Sequence, residues 1–355
     1  MIDIDTNISP SENRETNPIR ARESITPLQA FRGPRPQLDF VLPGFLSGTT
    51  GMIVAKGSTG KSWLAMQISA SVASGMPLAG GVLDGPENTG RVLILGWEDT
   101  ADVFRSRLID LVKYYLDNDI SEDTLELIDE RIEVVSMHGD LSTLVDADGK
   151  PGTLVPYLLE IAPEYRLIIL DPLARIFGGN ENDNGHATRA IAICDAIARK
   201  SGPSILLPHH AAKYASANGQ GGEQSASRGA SGFVDAARWV ATMQVMSEQE
   251  ADKHGIDHDH RKRYVKFSLP KANYVAPISD SWMKRSAAGP LELVRLNDAK
   301  SIKDRKKKIQ EDAAPDRVTD STPLPGAQYP SSIGEEEAVP PDDPLAFLDN
   351  LGGEK

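Results

Sequence analysis

A short glycine-rich stretch carries the clearest chemical signal in the sequence. Residues 55–62 read AKGSTGKS, follow the apolar run GMIVA and open the helical pattern KSWLAMQISASVA. Glycines at such a loop let backbone N–H groups turn toward phosphate, and the following helix adds its positive N-terminal end. The departure from G-x-x-x-x-G-K-[ST] is alanine at the first position, where a strand end supplies the negative φ it needs. We therefore expect a site for ATP and Mg²⁺, formed by Ala55, Lys56, Gly57, Ser58, Thr59, Gly60, Lys61 and Ser62.

Within this loop, Lys61 is expected to reach the β- and γ-phosphates and the Ser62 hydroxyl to bind Mg²⁺. Asp171 ends the apolar run LIILD, which is the position of a Walker-B aspartate that holds Mg²⁺ through water. The next residue is Pro172. The general base therefore does not follow the Walker-B acid directly, and this argues against an AAA+ arrangement of the site.

Two other acids are candidates for that base. Glu98 and Asp99 stand in the segment GWEDT, just past the apolar run RVLILG. A carboxylate at this point would face the γ-phosphate and orient the attacking water. Position favours Glu98, while Asp99 stays open. The acid that is not the base would cap the helix that starts near Ala101.

A histidine pair follows a further apolar run, in SILLPHHAAK. A polar side chain at that strand end can touch the γ-phosphate and report its loss, which is the role we expect of His209 and His210. A zinc pair is the alternative. It is less favoured because adjacent residues of a strand point to opposite faces and no Cys or His cluster accompanies them.

The segment 213–229 is rich in Gly, Ser, Ala and Gln and has no strand or helix pattern. Lys213 and Arg228 could contact phosphates and Tyr214 could stack on a base, as in proteins that bind single-stranded DNA. The alternative is a surface loop without function.

The positions of these residues require strands that end at one edge of a sheet. Strands are predicted at 51–55, 91–96, 132–137, 167–171 and 204–208, with helices near 62–74, 101–117, 153–162 and 187–200. Such alternation is typical of an α/β fold with a mostly parallel sheet and helices on both faces. After residue 236 the segments ARWVATMQVM, RYVKFSL, SWMKRS and LELVRL predict an antiparallel extension of the same sheet.

Composition limits the classes of protein. The 355 residues carry 38 basic and 51 acidic side chains, a net charge of −13, so any nucleic-acid site must be a local patch. A single cysteine, Cys194, excludes an intrachain disulfide and suits a reducing compartment. The absence of an 18-residue apolar run argues against a membrane span, and we expect a cytoplasmic protein.

Three zones are predicted along the chain: a flexible arm at 1–36, a core at 37–298 and a disordered tail at 299–355. In the tail, residues 300–308 have a net charge of +5 and residues 309–355 a net charge of −9. The acidic, apolar end PDDPLAFLDN could dock on a partner protein, or the tail could be an inert solubilising segment.

A run of motifs in fixed order resembles a known family. VLPGFLSGTTGMIVAKGSTGKSWLAMQ, LGWEDTADVFRSRL, LIILDPLARIF, LLPHHAAK, SASRGASGFVDAARW and SLPKANY are similar to the RepA family of hexameric replicative helicases of broad-host-range plasmids. The resemblance spans about residues 38–296. It implies a RecA-like P-loop NTPase core that assembles into a homo-oligomeric ring, with ATP between neighbouring subunits.

The resemblance also implies roles for single residues. Arg238 in DAARW matches the arginine that reaches the γ-phosphate of the next subunit, and Arg228 and Lys271 are weaker candidates for the DNA channel or the interface. Lys56 departs from the small residue or proline more usual there. The P-loop pair, catalytic glutamate, Walker-B acid and sensor region correspond to Lys61 with Ser62, Glu98, Asp171, and His210 beside His209.

The sequence thus favours an ATP-hydrolysing ring helicase that translocates on single-stranded DNA in plasmid or phage replication, and whose C-terminal tail could dock on other replication proteins. One alternative is a RecA-like ATPase that forms a recombinase filament on single-stranded DNA or remodels nucleoprotein without unwinding. Another is a non-catalytic ATP-binding protein, against which Glu98, Asp171 and Arg238 argue. Ring and filament differ only in the closure of one heterologous interface.

Overall fold

The structure is a computed structural model that describes residues 22–180, 183–210 and 231–297. The chain divides into two compact units, Met1–Asp39 and Phe40–Lys355. In the first unit, helix α1 (Pro27–Arg32) is capped by the Thr26 side chain, which accepts a hydrogen bond from Gln29 N. This helix lies within the arm that we expected to be flexible, and none of its residues is buried. The predicted tail lies outside the described residues.

The second unit is built on a nine-stranded sheet, preceded by a two-stranded antiparallel pair, β1 (Phe40–Leu42) and β2 (Phe45–Leu46). The sheet strands in chain order are β3 (Thr50–Ala55), β4 (Val92–Gly96), β5 (Ile132–Ser136), β6 (Leu167–Asp171), β7 (Ser204–His210), β8 (Trp239–Val245), β9 (Tyr264–Ala272), β10 (Ser281–Arg285) and β11 (Leu291–Val294). Their spatial order is β11-β10-β9-β8-β3-β7-β6-β4-β5.

Helices connect the strands and cover both faces of the sheet. They are α2 (Lys61–Ser74), α3 (Ala101–Leu116), α4 (Glu122–Arg131), α5 (Val155–Ile161), α6 (Leu173–Ile176), α7 (Asn184–Ser201), α8 (Ser231–Ala236) and α9 (Glu248–His254). Single 3₁₀ turns lie at Ala162–Glu164 and Arg261–Arg263. Among the described residues, none of the helices is long and apolar enough to cross a membrane.

Six neighbouring strands, from β8 to β5, run parallel, and β9 to β11 are antiparallel. The α/β fold class, a mostly parallel sheet with helices on both faces and an antiparallel extension, is thus confirmed. One detail differs from the prediction. The segment ARWVATMQVM contains β8, which pairs parallel with β3, so the antiparallel extension begins one strand later, at β9.

The core lies in two layers because the strands are buried on both faces. Along β3, Met52 and Val54 pack into one apolar cluster, while Ile53 and Ala55 pack into the other. Side chains of α2, α3 and α4 complete the cluster that holds Ile53, and those of α5, α6, α7 and α8 complete the opposite one. This period-two alternation determines which strand residues face the layer that contains α2, the helix after the phosphate loop, and which face the opposite layer.

The antiparallel hairpin β10–β11 is fastened to α2, the helix that follows the phosphate loop. Gln67 of α2 is buried and donates from Nε2 to Leu291 O at 2.8 Å, while Leu291 N donates to Gln67 Oε1 at 2.9 Å. At the turn of the hairpin, Gly289 has a φ of +121° and lies against the Trp63 ring, with no room for a Cβ atom. The last strands of the sheet and the phosphate helix therefore form one packed body.

Candidate nucleotide-binding site

The phosphate loop has the predicted position between a strand and a helix. Ala55 is the last residue of β3, and α2 begins at Lys61 after Gly60, whose φ is +106°. The second residue of the loop with a positive φ is Ser58, at +61°, while Gly57 is not left-handed. Within the loop, Thr59 Oγ1 donates to Lys56 O at 2.9 Å and fixes the turn.

Lys61 is held at the centre of the site. Its Nζ donates to Ala55 O at 3.1 Å and to Lys56 O at 3.0 Å, and it lies 3.1 Å from His210 Nδ1. Burial lowers the pKa of Lys61 to about 8, although the nearby carboxylates of Asp171 and Glu98 act in the opposite direction. A desolvated ammonium beside a phosphate-binding loop gains free energy when an anion arrives.

Ser62 and Asp171 form the predicted metal-binding pair. Ser62 Oγ donates to Asp171 Oδ2 at 2.7 Å across the site. Burial raises the pKa of the Asp171 carboxyl, while the Ser62 bond and the Lys61 charge lower it. One hydroxyl and one carboxylate are the hard oxygen donors that Mg²⁺ takes together with water and substrate phosphates. The pair therefore fits Mg²⁺, which would neutralise phosphate charge there.

Glu98 comes next to Asp171 because β4 and β6 are neighbouring parallel strands. Their register pairs Gly96 with Asp171, and Glu98 follows two residues later. Glu98 Oε1 lies 3.4 Å from Arg175 Nε, and Oε2 lies 3.9 Å from His210 Nε2. The half-exposed carboxylate thus faces the cavity beside Lys61, where an attacking water would need a base.

Asp99 also lines this cavity but is held differently. Its Oδ2 accepts a hydrogen bond from Arg107 Nη1 of α3 at 2.5 Å. The helix cap that we considered for the acid other than the base is wrong for Asp99, because Thr100 occupies the N-cap position. Arg107 thus engages Asp99 more closely than Arg175 engages Glu98, at 3.4 Å, which favours Glu98 for the role of base.

The two histidines face opposite sides of β7. His210 lies at the cavity with Lys61, whereas His209 is 3% exposed and packs against Phe233, with ring centroids 5.3 Å apart. Burial, with the charges of His210 and Lys61, lowers the pKa of His209 to about 4. Burial and Lys61 also lower the pKa of His210. Only His210 of the pair lies where it could contact a bound phosphate.

Arg238 lies at the other end of the sheet from the phosphate loop. It is exposed and precedes β8, and its backbone N donates to Thr50 O, at the start of β3, at 3.2 Å. The loop begins after Ala55, five residues further along β3, a distance of roughly 17 Å at about 3.3 Å per strand residue. The Arg238 side chain is therefore too remote to reach a nucleotide on its own subunit's loop.

The remaining predicted nucleic-acid contacts are only partly described. Lys271 Nζ donates to Val234 O at 3.1 Å and to Asp235 O at 2.7 Å, so it caps the end of α8. Burial lowers the pKa of Lys271. The other predicted contacts, Lys213, Tyr214 and Arg228, lie outside the described residues.

Sequence reasoning missed two arginines that line the cavity, Arg107 and Arg285, and a third, Arg175, that contacts Glu98. Arg175 stands four residues after Asp171, so the strand-end signal that located Asp171 could have included it. Arg107 is two helical turns into α3, and Arg285 comes from β10, far away in the sequence. No local pattern marks these two. The cavity has a volume of about 330 Å³ and is lined by Ser58, Gly60, Lys61, Ser62, Trp63, Glu98, Asp99, Arg107, Asp171, His210 and Arg285.

A phosphate loop, a buried acid on its serine and a second carboxylate facing the cavity, at one edge of a parallel sheet, define a P-loop ATPase. The family model described as "AAA domain" matches residues 16–216, more than half of the chain, and the protein belongs to this family. Pro172 after the Walker-B acid therefore does not exclude membership of this family.

Among solved structures, the chain is similar to one described as the "ATPase Domain" of another protein. The identity is 12%, the likeness covers 70% of this chain and 85% of that chain, and the TM-score is 0.45. A likeness this distant assigns no activity.

Proposed function

We propose that the protein is a ring-forming replicative DNA helicase of the RepA type, which hydrolyses ATP with Mg²⁺ and translocates on single-stranded DNA. The observation that carries the proposal is the separation of Arg238 from the phosphate loop of its own subunit. An exposed arginine at that end of the sheet can complete a nucleotide site only on a neighbouring copy. A ring of identical head-to-tail interfaces supplies such a neighbour to every subunit.

The residues of the cavity take different roles in ATP hydrolysis. Lys61 and the loop amides bind the β- and γ-phosphates, and Ser62 with Asp171 would hold Mg²⁺ against them. Glu98 takes the proton of the attacking water, and its contacts with Arg175 and His210 orient it. Because His210 lies between Lys61 and Glu98, loss of the γ-phosphate changes the contacts of His210 first.

The chemistry is tested with Glu98→Gln, with Asp99→Asn as the matched control. Glu98→Gln should bind ATP as wild type does and lose turnover by about 10²-fold or more, because the amide cannot accept the proton. Asp99→Asn should lose much less. ATP hydrolysis with and without single-stranded DNA is the measurement. Wild-type turnover in Glu98→Gln would show that another group is the base.

The interface is tested by mixing two inactive variants. Lys61→Ala subunits keep an intact Arg238, and Arg238→Ala subunits keep an intact phosphate loop. Mixed assemblies should regain part of the hydrolysis that each variant lacks alone. Absence of recovery at every ratio, with mixed assemblies verified by mass, would refute an arginine that acts in trans.

The replicative role needs two further measurements. Negative-stain images with a non-hydrolysable ATP analogue should contain closed rings, and wild-type protein should unwind a forked DNA substrate in the presence of ATP. Open filaments, or DNA-stimulated hydrolysis without strand separation, would instead favour the recombinase or remodelling alternative.

A further inference from the structure

The β10–β11 hairpin places a third positive charge on the phosphate loop, in addition to Lys56 and Lys61. Arg285, the last residue of β10, donates from Nη2 to Ser58 O at 2.9 Å. The same Nη2 atom lies 2.9 Å from the position that a Cβ on Gly60 would occupy, so the guanidinium rests directly on the loop. Nothing in the phosphate-loop motif requires such a residue, because the motif is complete with Lys61 and Ser62.

Arg285 differs from Arg107 and Arg175 in its lack of an ion-pair partner within the described part of the chain. Arg107 pairs with Asp99 and Arg175 with Glu98, whereas no carboxylate in the described part of the chain lies within ion-pair distance of Arg285. Its Nε atom is buried and, within the same part of the chain, has no hydrogen-bond partner. Burial also lowers the pKa of Arg285. A partly desolvated guanidinium without a counter-ion is costly unless an anion binds to it.

The strand that carries Arg285 is held in place before any ligand arrives. Arg263 donates from Nε and Nη2 to the backbone oxygen of Arg285, and the hairpin is fastened to α2 through Gln67 with Leu291 and through Gly289. With the backbone fixed and the guanidinium bonded to Ser58 O, less freedom is left to lose on binding, which favours a contact with ligand over a loose surface charge.

We propose that Arg285 binds the β-phosphate of the nucleotide held by its own subunit. The guanidinium touches the loop at Ser58 and Gly60, whereas Glu98 and His210 gather at Lys61, where the γ-phosphate is expected. A contact on the first side serves ATP and ADP alike. The proposal depends on the nucleotide site proposed above but not on the ring or on DNA.

The test is calorimetric binding of ATP, ADP and pyrophosphate to the full-length protein. Arg285→Ala should weaken all three by about tenfold or more, since a charge-assisted contact is lost. Arg285→Lys should recover part of the loss because it keeps the charge. Lys284→Ala is the matched control: it removes one charge from the same strand on the opposite face and should change affinity by less than about twofold.

Arg285→Gln tests the charge apart from polarity, because it keeps a planar N–H donor on the strand but carries no charge. It should bind as weakly as Arg285→Ala, and it also serves if the alanine variant does not fold. Wild-type affinity in Arg285→Gln would overturn the proposal, since loop shape alone would then matter. Weaker ATP and ADP with unchanged pyrophosphate would overturn it as well, because the contact would be with base or ribose. Wild-type protein that binds none of the three would refute the nucleotide site itself.

Discussion

The two buried hydrogen bonds between Gln67 of α2 and Leu291 of β11 allow the size of a loss in stability to be predicted. Gln67 is 1% exposed and satisfies both backbone groups of Leu291, at 2.8 and 2.9 Å. Gln67→Met keeps the length of the side chain and a good helix former, but it leaves the Leu291 N–H and C=O buried without partners. Each unpaired group costs about 1–3 kcal/mol, so the free energy of unfolding should fall by about 2–6 kcal/mol.

Ser69→Ala is the matched control on the same helix. Ser69 is as buried as Gln67, but its hydroxyl donates only to Ala65 O, one turn back in α2. Its loss should cost less than about 1 kcal/mol. The measurement is urea unfolding followed by circular dichroism, with thermal melts as a second readout. A loss of about 3 kcal/mol corresponds to a fall in Tm of about 6–12 °C for a domain of this size.

The outcome that would refute this reasoning is a Gln67→Met variant within about 1 kcal/mol of Ser69→Ala, with an unchanged denaturant slope. Leu291 would then have found other partners or water, and the hairpin would not be fastened to the phosphate helix as described. If Gln67→Met decreased only the denaturant slope, the hairpin would instead separate before the rest of the sheet unfolds.

Three further predictions concern the site and its surroundings. The pKa of Lys61 is lowered to about 8, and bound phosphate raises it. ATP affinity should therefore fall as pH rises through 8, and ATP binding near pH 8 should take up protons. Calorimetry in buffers of different ionisation enthalpy measures this uptake, and its absence would contradict the prediction. Asp99→Asn and Arg107→Ala should be non-additive in stability, with a coupling of up to about 1 kcal/mol in a double-mutant cycle; strict additivity would mean that the ion pair contributes nothing. Gly289→Ala should lower Tm and change the fluorescence of Trp63, since a Cβ would collide with the ring at a φ that disfavours alanine; an unchanged melt and spectrum would argue against that close approach.

The parts of the site that could be predicted are those encoded by contiguous sequence. A strand followed by a polar strand end signals the phosphate loop, and the same signal located Asp171 and Glu98. Parity along β7 distinguishes His210 from His209, because alternate residues of a buried strand face opposite layers. The positive φ at Ser58 could not be predicted, since the motif fixes the path of the loop but not which residue carries the unusual torsion.

What sequence reasoning missed depends on long-range packing or on weak local signals. Arg285 reaches the loop only because four strands, β8 to β11, are added beside β3. The direction of β8 is set by its crossover from β7, in a segment where no helical pattern was recognised, so β8 was assigned to the wrong part of the sheet. Helix α9 had a readable start, the capping box of Ser247 and Glu250, which was overlooked.

The hydrogen bonds between Gln67 and Leu291 also determine where the ATPase domain of this chain can be truncated. The family match ends at residue 216, but the phosphate helix finds partners for its buried amide only in β11, which ends at Val294. A fragment that stops with the parallel strands would leave that amide without a partner and uncover the apolar face of α2. Expression fragments, fusions and transplanted ATPase modules made from this chain should therefore extend through Val294.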